Sequence, residues 1–212
     1  MDMKAIVNDN PLLAIMRNIP LEQTVDYAKA VAEGGVSFFE VALNSPSAPE
    51  QISILRKLFG DRATVGAGTA ITVERAKTAI AAGAQFLLAP SSDEDVLAYC
   101  AAEKIAMLPG ALTPSDVSLC LKYGYSTIKL FPAGDMPRGY IKSLKGPFDN
   151  TEYVAIGGVS RDNAADFMKQ GYLGIGLSSN LMPKDAVKSG DWKTASKYVN
   201  EILEEVKKAR KG

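Results

Sequence analysis

The sequence predicts a single-domain (β/α)8 TIM barrel over residues 1–212, which is an α/β fold. Short apolar runs alternate with longer segments of helical periodicity along the chain, as in βα units around a parallel sheet. Eight such units can be counted, and barrels of this kind commonly take about 200 to 250 residues. An open doubly wound sheet is disfavoured, because it usually has fewer strands and often a GxGxxG turn, which LLAIMRNIP lacks.

The eight predicted strands are short and apolar. They are LLAIMR from Leu12, SFFEVAL from Ser37, ATVGAG from Ala63, QFLLAP from Gln85, IAMLPG from Ile105, TIKLFP from Thr127, YVAIGG from Tyr153 and LGIGLS from Leu173. Helical stretches such as TVERAKTAIAAGA lie between them, and Gly83 in this one stands where a C-terminal cap is expected. The spacing of about 20 to 26 residues is near the minimum for a strand, a helix and two loops.

Composition excludes several classes of function. Hydrophobic residues make up 47% of the chain and charged residues 23%, which is enough apolar material for a core. Lys plus Arg and Asp plus Glu number 24 each, so no strong overall field attracts nucleic acid or an anionic membrane. Neither a signal-peptide pattern nor an apolar run of about 20 residues is present. We therefore expect a cytoplasmic protein with neither nucleic acid nor membrane as a partner.

Histidine and cysteine usage narrows the chemistry. The chain contains no histidine, which removes the commonest metal ligand and the commonest general base. Cys100 and Cys120 lie in helical segments and fit neither a metal-site nor a CxxC spacing, so they are interpreted as small buried hydrophobic residues. Catalysis must then use Lys, Glu, Tyr or groups of the substrate.

Three charged residues on or beside strands are expected to point into the barrel. Lys129 interrupts the apolar run TIKLF, and strand alternation turns it inward if Ile128 and Leu130 pack on the helices. Burial lowers the pKa of a lysine and leaves a nucleophilic amine. Glu40 in SFFEVALN would meet Lys129 and suits a proton shuttle, and Arg17 suits a carboxylate. The residues alone leave open a structural ion pair of Lys129 with Glu40 and a surface position for Arg17.

The last two predicted units indicate a phosphate site. The strand in YVAIGGVSRDN is followed by Gly157 and Gly158 and then by Ser160, a candidate helix cap, and GIGLSSNL places Ser178 and Ser179 after the next strand. Glycine permits close approach of the backbone, and amides at a helix N-terminus bind phosphate. The loops after strands seven and eight form the usual phosphate site of such barrels.

Taken together and in order, these motifs make the sequence resemble the family of 2-keto-3-deoxy-6-phosphogluconate (KDPG) aldolases. The resemblance covers nearly the whole chain through AIMR, FFEVALNSP, GAGTA, LLAPS, MLPGALTP, IKLFPAG, AIGGVS and GLSSNL. It implies a class I aldolase, usually a homotrimer, that needs no metal or other cofactor. Lys129 then takes the Schiff-base position and Glu40 the acid/base position. Thr69, Phe131 and Pro90 match positions around the pyruvate moiety, and the paired glycines and serines match the phosphate-binding turns.

Two departures from the gluconate-type pattern bear on the substrate. Such enzymes usually have an arginine four residues after the glutamate and a threonine before the paired glycines, where this chain has Asn44 and Ile156. With Arg17, this pattern resembles the branch that cleaves 2-dehydro-3-deoxy-6-phosphogalactonate, the C4 epimer, to pyruvate and D-glyceraldehyde 3-phosphate. The gluconate epimer, 4-hydroxy-2-oxoglutarate and a barrel that only binds a sugar phosphate are the alternatives.

Overall fold

The predicted barrel is confirmed by the computed structural model, which describes residues 1–211; Gly212, the last residue of the predicted domain, lies outside them. The strands are β1 (Leu12–Met16), β2 (Phe38–Ala42), β3 (Thr64–Gly68), β4 (Leu87–Leu88), β5 (Met107–Leu108), β6 (Gly110–Ala111), β7 (Thr127–Leu130), β8 (Glu152–Ile156) and β9 (Gly174–Leu177). The helices are α1 (Met3–Asp9), α2 (Thr24–Glu33), α3 (Ala48–Phe59), α4 (Val73–Ala81), α5 (Glu94–Ala102), α6 (Pro114–Lys122), α7 (Tyr140–Lys145), α8 (Arg161–Lys169), α9 (Lys184–Ser189) and α10 (Trp192–Lys211).

The strands form one parallel sheet that closes on itself. Their order is β5-β4-β3-β2-β1-β9-β8-β7-β6, so the two ends of the sheet, β5 and β6, are adjacent in the chain. Only Pro109 separates them, and its carbonyl accepts a hydrogen bond of 2.9 Å from the Lys129 N–H in β7. The sequence predicted a single fifth strand here. That prediction is corrected to two short strands, because proline has no N–H to continue the ladder.

Two apolar clusters lie on the two faces of the sheet. The outer cluster joins the strands to the helices and includes Phe39, Val41, Ile128 and Leu130. The inner cluster fills the barrel and contains Leu13, Ile15, Phe38, Phe86, Leu88, Ala106, Leu108, Val154 and Ile156, with Met3 and Val7. The alternation predicted for the second and sixth strands is therefore confirmed.

Helix α1 closes the N-terminal end of the barrel, and the sequence analysis did not predict it. Its side chains Met3 and Val7 are buried in the inner cluster. Val7 packs directly on the backbone of Gly174 at the start of β9, where a Cβ would lie 2.7 Å from Val7 Cγ1. Helix α1 therefore packs against the N-terminal side of the barrel interior.

Several local predictions are confirmed. Ser160 is the N-cap of α8 and forms a reciprocal capping box with Asn163. Gly83 follows the end of α4 with φ of 99°. Cys100 and Cys120 are buried in α5 and α6, and burial raises the pKa of the Cys100 thiol to about 11. Within residues 1–211, no helix is both long and apolar enough to cross a membrane.

Candidate active site

A cavity of about 170 Å³ at the C-terminal ends of the strands brings most of the predicted site residues together. Catalytic sites of such barrels lie at this end. The predicted residues that line it are Arg17, Glu40, Lys129, Phe131, Ile156, Gly157, Gly158, Ser178 and Ser179. Sequence reasoning had not singled out the remaining lining residues, Ile15, Val159, Gly176 and Asn180.

Lys129 presents a buried amine at the base of this cavity. Its side chain is only 4% exposed, and Nζ lies 4.6 Å from the centroid of the Phe131 ring. Burial lowers the pKa of Lys129 to about 8; the charge of Glu40 opposes this shift and that of Arg17 adds to it. Among the ion pairs formed within residues 1–211, none involves Lys129. A structural ion pair with Glu40 therefore does not account for this lysine.

Glu40 places a carboxyl group in the same cavity. Its side chain is 1% exposed, and burial raises the pKa of the carboxyl group, although Lys129 and Arg17 each act to lower it. Its oxygen Oε1 is buried and has no hydrogen-bond partner among the described residues. A buried carboxyl group with a raised pKa and an oxygen free of hydrogen bonds is suited to taking up and releasing a proton.

Gly68 makes room for this carboxyl group. It ends β3, the strand next to β2, and a Cβ built on it would overlap with Oε1 of Glu40. A side chain at position 68 and the observed position of the Glu40 carboxyl group therefore exclude each other. The signal in the sequence was GAGT, but nothing in that motif shows which side chain crosses the glycine.

We predict that Gly68→Ala lowers turnover about a hundredfold, because Glu40 is the predicted acid/base residue and a displacement of about 1 Å of such a group is enough for a loss of this size. Gly68 lies in a strand, so alanine is compatible with its backbone and the circular dichroism spectrum should not change. The matched control is Gly146→Ala at the end of α7, where the nearest atom to a new Cβ is 3.4 Å away. Wild-type turnover in Gly68→Ala would contradict the prediction.

Arg17 lies at the mouth of the cavity. It follows β1, which pairs with β9, so its guanidinium lines the cavity together with Ser178 and Ser179. The residue is exposed, and it takes part in no ion pair with another residue of 1–211. Arg17 thus lines the cavity, as the sequence predicted, and is at the same time exposed to solvent, as the alternative stated. The guanidinium is free to bind an anion.

The paired glycines form a turn that packs closely on its neighbours. Gly157 and Gly158 have φ of 85° and 71°, in the left-handed region that glycine adopts without strain. A Cβ on Gly157 would lie 2.9 Å from the Phe131 ring. Asn180, which the sequence analysis missed, donates from Nδ2 to the carbonyl oxygen of Val159 at 3.4 Å and links this turn to the one after β9. The two turns form one wall of the cavity.

Three predicted site residues lie outside this cavity. Thr69 has a left-handed backbone with φ of 61°, and its carbonyl oxygen accepts a hydrogen bond of 3.3 Å from Arg75. Pro90 lines a separate recess that shares only Phe131 with the main cavity. Asn44 is exposed and lines another recess beside Arg75. The roles of Thr69, Pro90 and Asn44 remain predictions that rest on the resemblance.

Comparison with known proteins decides the family. The family model described as KDPG and KHG aldolase matches residues 3–198. The chain belongs to this family. It is 33% identical over 208 residues to the KHG/KDPG aldolase of Escherichia coli strain K12, with 96% of each chain covered. It is 31% identical over 172 residues to the 2-dehydro-3-deoxy-6-phosphogalactonate aldolase of the same strain, with 81% of this chain and 84% of that protein covered.

A solved structure of this family has the same fold. The KDPG aldolase of Legionella pneumophila superimposes with a TM-score of 0.87 at 26% identity, over 95% of this chain and 98% of that one. In that structure pyruvate was captured as a covalent carbinolamine intermediate. The family predicted from the sequence is confirmed, and this member of the KDPG and KHG aldolases is a lyase that cleaves carbon–carbon bonds. Within residues 1–211, no three His, Cys, Asp or Glu side chains cluster in the manner of a metal site.

Proposed function

We propose that this chain is a class I aldolase that cleaves 2-dehydro-3-deoxy-6-phosphogalactonate through an imine on Lys129. The observation that carries the proposal is a buried amine whose pKa is lowered to about 8, without a carboxylate partner, in one cavity with Glu40. A lysine in this state is a nucleophile toward ketones at near-neutral pH. The imine itself is the electron sink, so the reaction requires neither a metal nor another cofactor.

In the proposed reaction, neutral Lys129 adds to the C2 ketone and water leaves to give an iminium ion. The C4 hydroxyl group then loses its proton, the C3–C4 bond breaks, and its electron pair moves into the iminium. D-glyceraldehyde 3-phosphate departs and leaves an enamine, which takes a proton at C3. Hydrolysis releases pyruvate and restores the amine. We assign the proton transfers to Glu40, directly or through a water molecule, because its carboxyl group lies buried in the same cavity and its Oε1 has no hydrogen-bond partner among the described residues.

The remaining cavity residues are assigned to the ends of the substrate. Phe131 lies beside the lysine amine and would pack on the pyruvate moiety, with Thr69 and Pro90 at the same end as the resemblance implies. Arg17, which the sequence suggested for the carboxylate, lies at the mouth beside Ser178 and Ser179, so we assign its guanidinium to the phosphate, which it would bind through paired hydrogen bonds. Gly157, Gly158, Ser178 and Ser179 would bind the phosphate, since both turns line the cavity.

Borohydride reduction in the presence of pyruvate tests the mechanism. A trapped imine adds a defined mass to one lysine, which peptide mass spectrometry locates, and we expect it on Lys129. The matched control is Lys142→Met, which removes an exposed lysine of α7 and should keep the adduct. Absence of an adduct in the wild-type protein, or its presence on another lysine, would overturn the mechanism. A barrel that only binds a sugar phosphate predicts no adduct.

The choice of epimer depends on Ile156. Its side chain lines the cavity directly before the paired glycines and cannot donate a hydrogen bond to the C4 hydroxyl group. Asn44, the other residue assigned to this choice, is exposed in a separate recess, so Ile156 gives the stronger support. The gluconate epimer and 4-hydroxy-2-oxoglutarate remain the second candidate, supported by the 33% identity to a KHG/KDPG aldolase.

We predict that Ile156→Thr shifts the ratio of kcat/KM for the two epimers about tenfold toward the gluconate form, because the smaller threonine side chain places a hydroxyl group where isoleucine has none. Coupled detection of pyruvate measures the ratio, and Asn44→Ala serves as a comparison at the exposed position. An unchanged ratio in Ile156→Thr would remove this residue from the epimer choice. A wild-type protein that strongly prefers the gluconate epimer would overturn the substrate proposal.

The oligomeric state, the cellular location and the partners are also proposed from the family resemblance. We infer a homotrimer in the cytoplasm whose partner is the phosphorylated keto acid, and we assign no nucleic acid or membrane partner, consistent with the formal net charge of zero. Sedimentation velocity would report the mass of the particle. A purely monomeric or dimeric protein at micromolar concentration would contradict the trimer.

A further inference from the structure

We propose that Ser45 and Gln51 are positioning residues that hold the loop between β1 and α2, and with it Arg17, at the mouth of the cavity. Neither residue lines the cavity. The inference rests on the proposed function, since it treats this cavity as the place of cleavage. It adds a pair of buried polar side chains that act on the substrate through Arg17.

Buried polar side chains are few, and their distribution is uneven. Within residues 1–211 they are Thr24, Glu40, Ser45, Gln51, Thr127, Lys129 and Thr151. Two of these, Glu40 and Lys129, belong to the cavity. Three others, Thr24, Ser45 and Gln51, gather around the loop that follows Arg17. Burial of a polar group is unfavourable unless hydrogen bonds compensate for it, so such a concentration requires a reason.

Ser45 is attached to the residue that follows Arg17. Its hydroxyl Oγ accepts a hydrogen bond of 2.9 Å from the N–H of Asn18, and Ser45 is only 5% exposed. Asn18 adopts a left-handed backbone with φ of 54°, which asparagine tolerates better than most residues with a side chain, and its hydrogen bond to Ser45 fixes the N–H in this turn. Ser45 is itself fixed, because its N–H donates to the carbonyl oxygen of Ala42 at the end of β2, at 2.9 Å.

Gln51 attaches the same loop at two further points. Its amide Nε2 donates to the carbonyl oxygen of Ile19 at 2.8 Å and to Oγ1 of Thr24 at 2.9 Å, and the residue is completely buried in α3. Both Ser45 and Gln51 belong to the segment that follows β2, the strand that carries Glu40. The Arg17 loop is therefore fixed to the part of the chain that carries the acid/base residue.

This attachment has a defined effect on substrate binding. Arg17 is exposed and not ion-paired within the described chain, so the backbone of its loop has a large part in positioning its side chain. A fixed backbone reduces the entropy lost when the guanidinium binds. Loss of the attachment should therefore weaken binding of the anionic substrate, while the chemistry at Lys129 continues.

Ser45→Ala tests the inference, because it should change KM while leaving kcat nearly unchanged. We expect KM for the phosphorylated keto acid to rise about fivefold, which is the effect of one lost hydrogen bond, while kcat changes less than twofold. The matched control is Thr151→Val, which removes another buried hydroxyl group, 2% exposed and bonded to the Phe148 carbonyl oxygen at 2.6 Å. It should lower the melting temperature and leave KM unchanged. Gln51→Met provides a second variant of the attachment if Ser45→Ala folds poorly.

The double variant Arg17→Leu with Ser45→Ala decides whether Ser45 acts through Arg17. In the Arg17→Leu background, Ser45→Ala should raise KM no further, because residues that act through one contact are not additive. Additive changes, or equal KM values for Ser45→Ala and Thr151→Val, would overturn the inference while the pyruvate adduct still forms on Lys129. Absence of that adduct in the wild-type protein would overturn the proposed function and this inference together, so the two failures are distinguishable.

Discussion

Replacement of Lys129 by methionine should lower cleavage of the phosphorylated keto acid about a thousandfold or more, because the variant has no amine to form the imine. The methionine side chain has a similar length and suits a site in contact with the Phe131 ring. Coupled pyruvate detection measures the loss. Lys142→Met, at an exposed position of α7, should retain wild-type turnover. Residual turnover near the wild-type level in Lys129→Met would refute the imine mechanism.

The same variant should be more stable than the wild-type protein at neutral pH, by roughly 2 kcal/mol in the free energy of unfolding. Burial lowers the pKa of Lys129 from 10.5 to about 8, so below pH 8 the folded protein carries a charge that the unfolded chain solvates better. The penalty is therefore complete below pH 8. It disappears as the pH rises from 8 to 10.5, because the unfolded chain then also loses the proton. Denaturant titrations at pH 7 and 10 should show the difference shrinking.

Replacement of Glu40 by glutamine should lower turnover about 10²-fold to 10⁴-fold, the usual effect of losing a general acid/base. Glutamine keeps the shape of the side chain beside Gly68 but cannot exchange the proton. Borohydride should still trap pyruvate on Lys129 in this variant, because the amine is retained. The pKa of Glu40 is raised above its ordinary value of 4.5. In the wild-type protein, the loss of activity caused by protonation of Glu40 should therefore begin at a higher pH than for an ordinary glutamate. Protonation of Lys129, whose pKa is about 8, also lowers activity as the pH falls, and the variant should keep that effect; only the additional fall caused by protonation of Glu40 should be absent.

Glu152→Gln is the matched control for Glu40→Gln. Glu152 opens β8 at the opposite end of the barrel, where it pairs with Lys145 at 2.8 Å and with Lys4 at 3.3 Å. Its replacement removes a partly buried strand carboxylate without touching the cavity, so turnover should be preserved. Equal losses in the two variants would indicate a general effect on folding and would remove Glu40 from the mechanism.

Period-two alternation was enough to predict the interior of the barrel. It placed Lys129 and Glu40 on the inner face and Ile128, Leu130 and Val41 on the outer face, and the two apolar clusters have this arrangement. The prediction succeeded because successive side chains of a strand point to opposite faces of the sheet, so one residue of known orientation fixes the orientation of the others. The turn residues at 157–158 and 178–179 were also placed correctly in the cavity wall, since they directly follow strands.

Features that depend on tertiary contacts were not predictable in this way. The position of Asn44 in a separate recess follows from the path of the loop after β2, which no periodicity specifies. Helix α1 has only two buried side chains, Met3 and Val7, which is too weak a pattern to identify a helix from the sequence. The division of the fifth strand at Pro109 did have a signal, because proline cannot donate to a sheet ladder. Nothing in the sequence indicated the contact between Gly68 and Glu40.

The closure of the barrel by α1 directs the proposed products toward the C-terminal face. With Met3 and Val7 packed below the inner cluster, the cavity around Lys129 opens toward the C-terminal face, where Arg17 and the glycine turns lie. In the proposed mechanism the three-carbon fragment stays joined to Lys129, and the phosphorylated aldehyde would lie between it and the phosphate-binding turns. We therefore expect the aldehyde to depart before the keto acid, because the keto acid is released only when water hydrolyses the imine. Product-inhibition patterns should accordingly be those of an ordered uni-bi reaction.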